Sequence, residues 1–199
     1  MHSAACKSST FDLVPSEKNP PKSVFEAALL GNILFISSML RLCVGTDIKL
    51  LDVCSRGDGF SLMHYAVAGN KDKTVSFLLR KMTRPHAPDS RGVSPFALAA
   101  RYGHSEILKL LLSAGALVPG VDRLGNTCLH EAAGTAQNAS LNYLLELVTN
   151  DRNAALVSYV LWLKNLAGMT CYDYALHKGY PDTAELILGY MRKHCCGPC

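Results

Sequence analysis

Two histidines occupy matching positions in this sequence, where they could ligate a metal ion or act as a base. His64 ends the segment Ser61-Leu62-Met63-His64, and His130 ends Thr127-Cys128-Leu129-His130. Imidazole is a common metal ligand and a common general base near neutral pH. The two segments belong to a longer series of similar segments, in which one further copy lies between them. Because the histidines are two copies apart in that series, we do not expect them to share one ion.

The C-terminal segment Cys196-Gly197-Pro198-Cys199 is a second group that could do chemistry, as the tetrad of a thiol–disulfide enzyme. That reaction needs a helix N-terminus to lower the thiol pKa, and no helix follows Cys199 in this sequence. S-acylation of Cys195 and Cys196, beside a short basic cluster, is the other alternative and would make a membrane-tethered adaptor. The simplest expectation is a reduced, Cys-rich tail over residues 192–199.

The composition predicts a globular intracellular protein. Of 199 residues, 49% are hydrophobic and 18% are charged, which is enough apolar material for a core. The net charge of +4 is small and evenly spread, so we expect no nucleic-acid binding. The sequence has neither the apolar run of a spanning helix nor that of a signal peptide. Eight cysteines then indicate free thiols in a reducing compartment, cytoplasmic and/or nuclear.

A repeat of constant period organises most of the chain. Ser94-Pro95-Phe96-Ala97 starts midway between Ser61 and Thr127, the starts of the two histidine segments. Two further copies, Thr170-Cys171-Tyr172-Asp173 and the worn Lys22-Ser23-Val24-Phe25, are displaced from this regular spacing by ten and six positions. Each copy is followed by a pair of small residues and then by a second apolar group. Such a period, about 33 residues, indicates units that stack on one another.

One unit, residues 89–116, predicts two short helices after a turn. Asp89-Ser90-Arg91-Gly92 has the composition of a turn, and Ser94 followed by Pro95 is typical of a helix start. Gly103 predicts a left-handed helix end, and a second helix follows from about Ser105. Helices this short are marginal in water, so neighbouring units must bury their apolar faces.

The pattern from Asp89 to Ala116 resembles an ankyrin repeat along its full length, and residues 122–133 are a second good match. The resemblance implies an all-α solenoid of about five helix-turn-helix units, with turns that project as fingers and first helices that line a concave face. We place a flexible segment at 1–21 and the ankyrin repeat domain at 22–191. Its repeats lie near 22–55, 56–88, 89–121, 122–164 with an insertion, and 165–191.

Several positions depart from the family pattern. In the second repeat Gly69 comes one position early, so we expect Asn70 to take the left-handed conformation. In the fourth repeat Ala136 and Val148 occupy the two glycine positions. The resemblance also implies that His64 and His130 bond the backbone of their own or the next turn.

The insertion at residues 150–164 contains the only Trp of the chain, Trp162. Its apolar residues fall on one helical face: Leu156, Tyr159, Val160 and Leu163. One interpretation is that this helix seals the stack between the fourth and fifth repeats, and the other is that Trp162 anchors a partner. The extra residues at 44–52 predict a longer first finger or a longer second helix.

The family resemblance implies protein binding without catalysis, cofactor or metal, as a scaffold, adaptor or inhibitor. It places the candidate groove residues on the first helices: Tyr65, Leu98, Arg101, Tyr102 and Glu131. The candidate finger residues are Arg91, Arg123 and Leu124. Arginines on adjacent fingers suit an acidic protein partner. We expect membrane contact only if the tail is acylated.

Overall fold

A computed structural model of the protein describes residues 22–42, 54–81, 86–116, 120–149 and 160–194. Several predictions lie outside these ranges: the N-terminal segment 1–21, the extra residues at 44–52, most of the insertion, and the cysteines of the tail. The insertion residues Leu156 and Tyr159 and the acylation candidates Cys195 and Cys196 are among them.

Ten helices with described bounds form five consecutive pairs. The described residues contain no strand beyond two isolated bridges, so the predicted all-α class is confirmed. Residues 160–162 are also helical. The pairs are α1 (Val24–Leu30) with α2 (Ile33–Leu42), α3 (Leu62–Ala68) with α4 (Asp72–Leu79), α5 (Pro95–Tyr102) with α6 (Ser105–Ser113), α7 (Cys128–Ala133) with α8 (Asn138–Thr149), and α9 (Cys171–His177) with α10 (Pro181–His194).

The first helices of the pairs pack side by side in one row, from α1 through α3, α5 and α7 to α9. The second helices α4, α6, α8 and α10 form a parallel row behind them. Small residues make the first row possible because they let helix backbones approach closely. These fully buried positions are Ala27, Ala28, Ala66, Ala99, Ala100, Ala132, Ala133 and Ala175. The apolar residues of the second helices close the core from behind, with Ile36, Val75, Leu108, Leu141 and Ile187 fully buried.

The helix ends follow the local chemistry that the sequence predicts. Ser94 Oγ accepts a hydrogen bond from Ala97 N at 3.2 Å and caps α5, which begins at Pro95. Gly103 has φ +79° and ends the helix. Asn70 adopts φ +53°, which confirms the prediction for that position. Val148 lies at no turn: it is buried inside α8, which continues to Thr149.

The turns before the first helices form fingers, which hydrogen bonds join in series. We number the fingers by repeat: the second spans residues 55–60, the third 89–93, the fourth 122–126 and the fifth 165–169. Ser90 N donates to Asp58 O at 3.0 Å, Arg123 N to Arg91 O at 2.9 Å, and Leu166 N to Leu124 O at 2.8 Å. These three equivalent bonds hold each finger against the next.

Finger glycines serve both this ladder and the turn itself. Gly92 has φ +83°, and a Cβ atom on it would lie 2.9 Å from Arg123 N. Gly168 has φ +76°, but a Cβ atom there would meet open space. The two positions therefore share the backbone conformation and differ in the contact with a following finger.

Substitution of these two glycines by alanine separates the two effects. We expect Gly168→Ala to lower the free energy of unfolding by about 1–2 kcal/mol, the cost of a left-handed L-residue. Gly92→Ala should lower it by about 1 kcal/mol more, because the fourth finger must shift and weaken a hydrogen bond. Urea denaturation measures both values. Equal losses would show that the finger contact contributes nothing to stability.

Enlarging the alanine positions tests the row of first helices. Ala99→Leu or Ala132→Leu should lower the free energy of unfolding by about 1–3 kcal/mol, since both sites are fully buried between packed helices. Ala139→Leu, at an exposed position of α8, is the control and should be nearly neutral. Thermal melts report the differences. Unchanged melting of both buried variants would contradict the proposed packing.

Candidate protein-binding surface

Carboxylate or amide oxygens of the opening residue shape the tips of the third, fourth and fifth fingers. Asp89 Oδ1 accepts hydrogen bonds from Arg91 N and Val93 N, both at 2.8 Å. Asp122 Oδ1 accepts from Leu124 N at 2.9 Å and from Asn126 N at 2.7 Å. In the fifth finger the neutral Asn165 takes this role toward Ala167 N and Met169 N, each at 3.0 Å. The oxygens point inward, which turns the following side chains outward.

The candidate finger residues differ in how far they are engaged. The Arg91 guanidinium is paired with the buried Asp89 carboxylate at 3.2 Å and lies 6.0 Å from the centre of the Phe60 ring. Arg123 is exposed, and its guanidinium has no ion-pair partner within the described ranges. Leu124 is 63% exposed. The fourth finger therefore presents a free cation beside a free apolar side chain.

The candidate groove residues divide into aromatic side chains at the surface and groups used within the stack. Tyr102 is 46% exposed at the end of α5, and Tyr65 is half-buried against Phe25 at 5.2 Å between ring centres. Leu98 is only 1% exposed, because its side of α5 is packed against neighbouring helices. The structure thus places Leu98 in the core and leaves Tyr102 accessible.

Arg101 and Glu131, predicted as groove residues, form an ion pair with each other across two repeats. Arg101 Nε donates a hydrogen bond to Glu131 Oε2, and the Glu131 side chain is 5% exposed. Thr135 Oγ1 donates to Arg101 O at 2.8 Å, so a second bond joins the same two repeats. The pair fastens α5 to α7 and leaves little charge for a partner.

The end of the insertion packs on the stack while its Trp stays accessible. Val160 and Leu161 are buried, whereas Trp162 is 44% exposed. The following residue that opens the fifth finger, Asn165, is buried and donates through Nδ2 to Asn126 Oδ1 at 2.9 Å. Buried apolar residues and an exposed indole are therefore adjacent at this end of the insertion, and partner contact by Trp162 stays a prediction.

The two histidines bridge their own helix start to the next finger, as the family resemblance implied. His64 Nδ1 accepts from Ser61 N at 3.2 Å, and its Nε2 donates to Val93 O at 3.0 Å. His130 repeats the arrangement with Thr127 N at 3.2 Å and Met169 O at 3.0 Å. Burial lowers the pKa of both imidazoles. Within the described residues, no cluster of three or more His, Cys, Asp or Glu could hold a metal ion.

Buried thiols in the stack are also unsuited to chemistry. Cys128 and Cys171 open the first helices α7 and α9 and are free and buried. Burial raises the pKa of each thiol to about 12, so both remain protonated at neutral pH.

No helix in the described part of the chain is long and apolar enough to cross a bilayer.

Two exposed residues at or beside the fifth finger were absent from the sequence-based candidates. Leu166 is 78% exposed, and Lys164 is exposed immediately before the finger. Alignment of the fingers would have found Leu166, because it occupies the position of Arg123 one finger earlier and follows a residue of the Asp or Asn type.

A row of repeated helix pairs with projecting fingers defines a solenoid of the protein-binding class. The family model for ankyrin repeats, in three copies, matches residues 24–122 and 63–154. The chain belongs to the ankyrin repeat family, whose repeats are protein–protein interaction modules.

Curated relatives share this region over part of their length. A protein of Arabidopsis thaliana named as the putative E3 ubiquitin-protein ligase XBAT31 is 31% identical over 172 residues, 85% of this chain and 37% of the relative. A protein of Saccharomyces cerevisiae named as the probable 26S proteasome regulatory subunit p28 is 33% identical over 95 residues, 45% of this chain and 41% of the relative. Human SH3 and multiple ankyrin repeat domains protein 2 is 27% identical over 173 residues, which are 85% of this chain and 8% of the relative. The chain spans less than half of each.

The buried histidines predict a loss of stability in mild acid. Because the pKa of His64 and of His130 is lowered on folding, the unfolded chain takes up protons first as the pH falls below about 6.5. The contribution of each histidine to the free energy of unfolding is therefore complete above that pH. As the pH drops further, the contribution decreases by up to about 1.4 kcal/mol per pH unit for each histidine.

Urea denaturation between pH 7.5 and pH 5 measures this slope, with the wild type compared with the double variant His64→Gln, His130→Gln. We expect the double variant to be less stable at pH 7.5 and to lose less stability on acidification. A slope that is unchanged in the double variant would assign the acid sensitivity to other groups.

Proposed function

We propose that the chain is a non-catalytic protein-binding module that acts as a scaffold, adaptor or inhibitor through its first-helix face and its finger tips. The observation that carries this proposal is the location of exposed large apolar side chains. From α3 onward, those in the described residues are Tyr102, Val121, Leu124, Trp162, Leu166, Leu176 and Tyr180. None of them lies on the second helices α4, α6, α8 or α10.

Leu34 and Leu42 are also exposed and lie on α2, the second helix of the first pair. From α3 onward the exposed apolar side chains keep to one side of the stack, and this distribution is what points to a partner. Single exposed apolar residues are ordinary on any protein surface and carry no meaning. Here they belong to first helices, to the turn after α9, or to fingers and the segments that lead into them. Aromatic and large apolar side chains gathered on one face are typical of protein interfaces.

The state of the polar side chains supports binding rather than catalysis. His64 and His130 use both ring nitrogens in bonds that hold the stack, and Glu131 is paired with Arg101. The thiols of Cys128 and Cys171 are held protonated by burial. These groups are committed to structure, so no nucleophile and base face each other among them. Free thiols also support an intracellular location, cytoplasmic and/or nuclear.

Capture followed by titration tests the proposed function. The tagged full chain is expressed in cells, captured proteins are identified by mass spectrometry, and a purified partner is titrated calorimetrically. We expect Tyr102→Ser to raise Kd about tenfold, since it removes an exposed aromatic side chain of the binding face. The controls Lys73→Ser on α4 and Glu146→Ser on α8 should change Kd by less than about twofold.

The same complex distinguishes an inhibitor from a scaffold or adaptor. Loss of the partner's own activity in the complex indicates an inhibitor, and simultaneous binding of two different proteins indicates a scaffold or adaptor. Failure of every captured protein to form a saturable complex would contradict the proposal. Equal weakening by Tyr102→Ser and by the second-helix controls would also contradict it.

A further inference from the structure

The outward surface of the third to fifth fingers combines exposed cations with exposed apolar side chains. We call it the finger surface, and its residues are Arg91, Arg123, Leu124, Trp162, Lys164 and Leu166. The Arg91 side chain is 55% exposed, and Arg123 and Lys164 are exposed. Leu124, Trp162 and Leu166 are exposed by 63%, 44% and 78%.

Negative charge in these fingers is turned inward. The Asp89 side chain is fully buried and is bonded to its own finger and to Arg91. Asp122 is half-buried, and its two oxygens accept bonds from Leu124 N, Asn126 N and Asn126 Nδ2. The fifth finger has neutral Asn165 at this position. The finger surface therefore presents positive charge outward with no exposed carboxylate of its own.

The mixture of the two kinds of side chain changes along the stack. Arg91 lies on the third finger, Arg123 and Leu124 on the fourth, and Leu166 on the fifth, with Trp162 and Lys164 just before it. The bond from Leu166 N to Leu124 O holds the two exposed leucines on adjacent tips. The surface thus has a cation alone at the third finger, a cation with an apolar side chain at the fourth, and two apolar side chains with one cation at the fifth.

The spacing of the fingers sets the length of a ligand that covers them. Each finger leads directly into a first helix, so neighbouring fingers are separated by about one helix-packing distance, roughly 10 Å. The third and fifth fingers are then about 20 Å apart, which an extended chain spans in about six residues. A fixed ladder of backbone bonds keeps this distance constant.

We infer that the finger surface binds an extended segment of a partner protein in which acidic residues and a bulky apolar side chain stand about six positions apart. The acidic residues pair with Arg91 and Arg123, and the apolar side chain packs among Leu124, Trp162 and Leu166. Charge complementarity selects the acidic end, and burial of the exposed leucines and indole supplies the contact at the other end. This inference rests on the proposed function and specifies the chemistry of the partner. An anionic lipid surface would also be attracted to these cations. The finger surface has so few of them that it favours a narrow peptide over a membrane.

Peptide selection on the full chain tests the inference without a known partner. Random peptides of about twelve residues, long enough to cover three fingers, are displayed on phage and selected on the immobilised protein. We expect enriched peptides to carry Asp or Glu residues and a Trp, Phe or Leu about five to seven positions away. One enriched peptide, synthesised with a fluorophore, then serves as the probe in polarisation titrations.

The finger variants and their controls differ only in location. Arg123→Ser and Leu166→Ser should each weaken probe binding about tenfold. Arg80→Ser, at the end of α4, and Leu34→Ser, on α2, remove an exposed arginine and an exposed leucine elsewhere and should change it less than about twofold. Higher salt should weaken the probe because exposed charge pairs are screened. Thermal melts establish that all four variants are folded.

The remaining outcomes overturn the inference in distinguishable ways. If probe binding is lost in Tyr102→Ser and retained in the finger variants, the binding site lies on the first helices and the proposed function stands. Enrichment without acidic residues, or no enrichment, would reject the finger surface as a peptide site. Retention on phosphatidylserine vesicles that depends on Arg123, without peptide enrichment, would assign it to lipid. Absence of any peptide together with absence of any saturable protein complex would reject the proposed function as well.

Discussion

Close approach between first helices is the constraint on which the rest of the structure depends. Helices of six to eight residues are marginal in isolation, so each must bury its face against the next unit. Fully buried alanines at the same position of successive repeats allow this approach along the whole row. Stability is therefore shared between neighbours, and no single repeat holds a core of its own.

The row of first helices determines how the fingers are arranged. Each finger precedes a first helix, so stacking of helices brings successive turns within hydrogen-bonding distance and the backbone ladder follows. Imidazole bridges from His64 and His130 fasten a helix start to the following finger at two of these junctions. Carboxylate or amide oxygens then close each turn from inside. With its polar groups satisfied internally, a finger can present any side chain at its tip without loss of structure.

Sequence periodicity predicted position within a unit well and contacts between units poorly. Caps such as Ser94 and the left-handed Asn70 depend on residues close in the chain, so their types and spacing sufficed. The fully buried alanines recur with the period of the repeat, which is itself the signal that units stack. The pairing of Arg101 with Glu131 joins residues 30 positions apart and depends on the rotation between repeats, which no local pattern contains. Burial of Leu98 has the same cause. Alignment with the other repeats puts Val148 at the glycine position that ends a second helix. Its apolar side chain instead favours continuation of α8 into the core.

Comparison of the fingers within this one chain separates the positions that the turn constrains from those that it leaves free to vary. The turn glycines Gly92, Gly125 and Gly168 all have positive φ, and the opening residue is Asp or Asn each time, because the turn demands both. The next position reads Ser90, Arg123 and Leu166, three side chains without common chemistry. The ladder bond is made by the backbone N–H at each of these positions, and Ser90 adds a bond from its side-chain Oγ to Asp58 O at 2.5 Å. The backbone ladder thus forms with three unlike side chains. The turn glycines and the opening Asp or Asn are positions that characterise the family, and relatives with differently named roles can share them. The stack leaves the exposed tips free to vary, as it does exposed first-helix positions such as Tyr102, and for this reason both belong to the proposed binding surface.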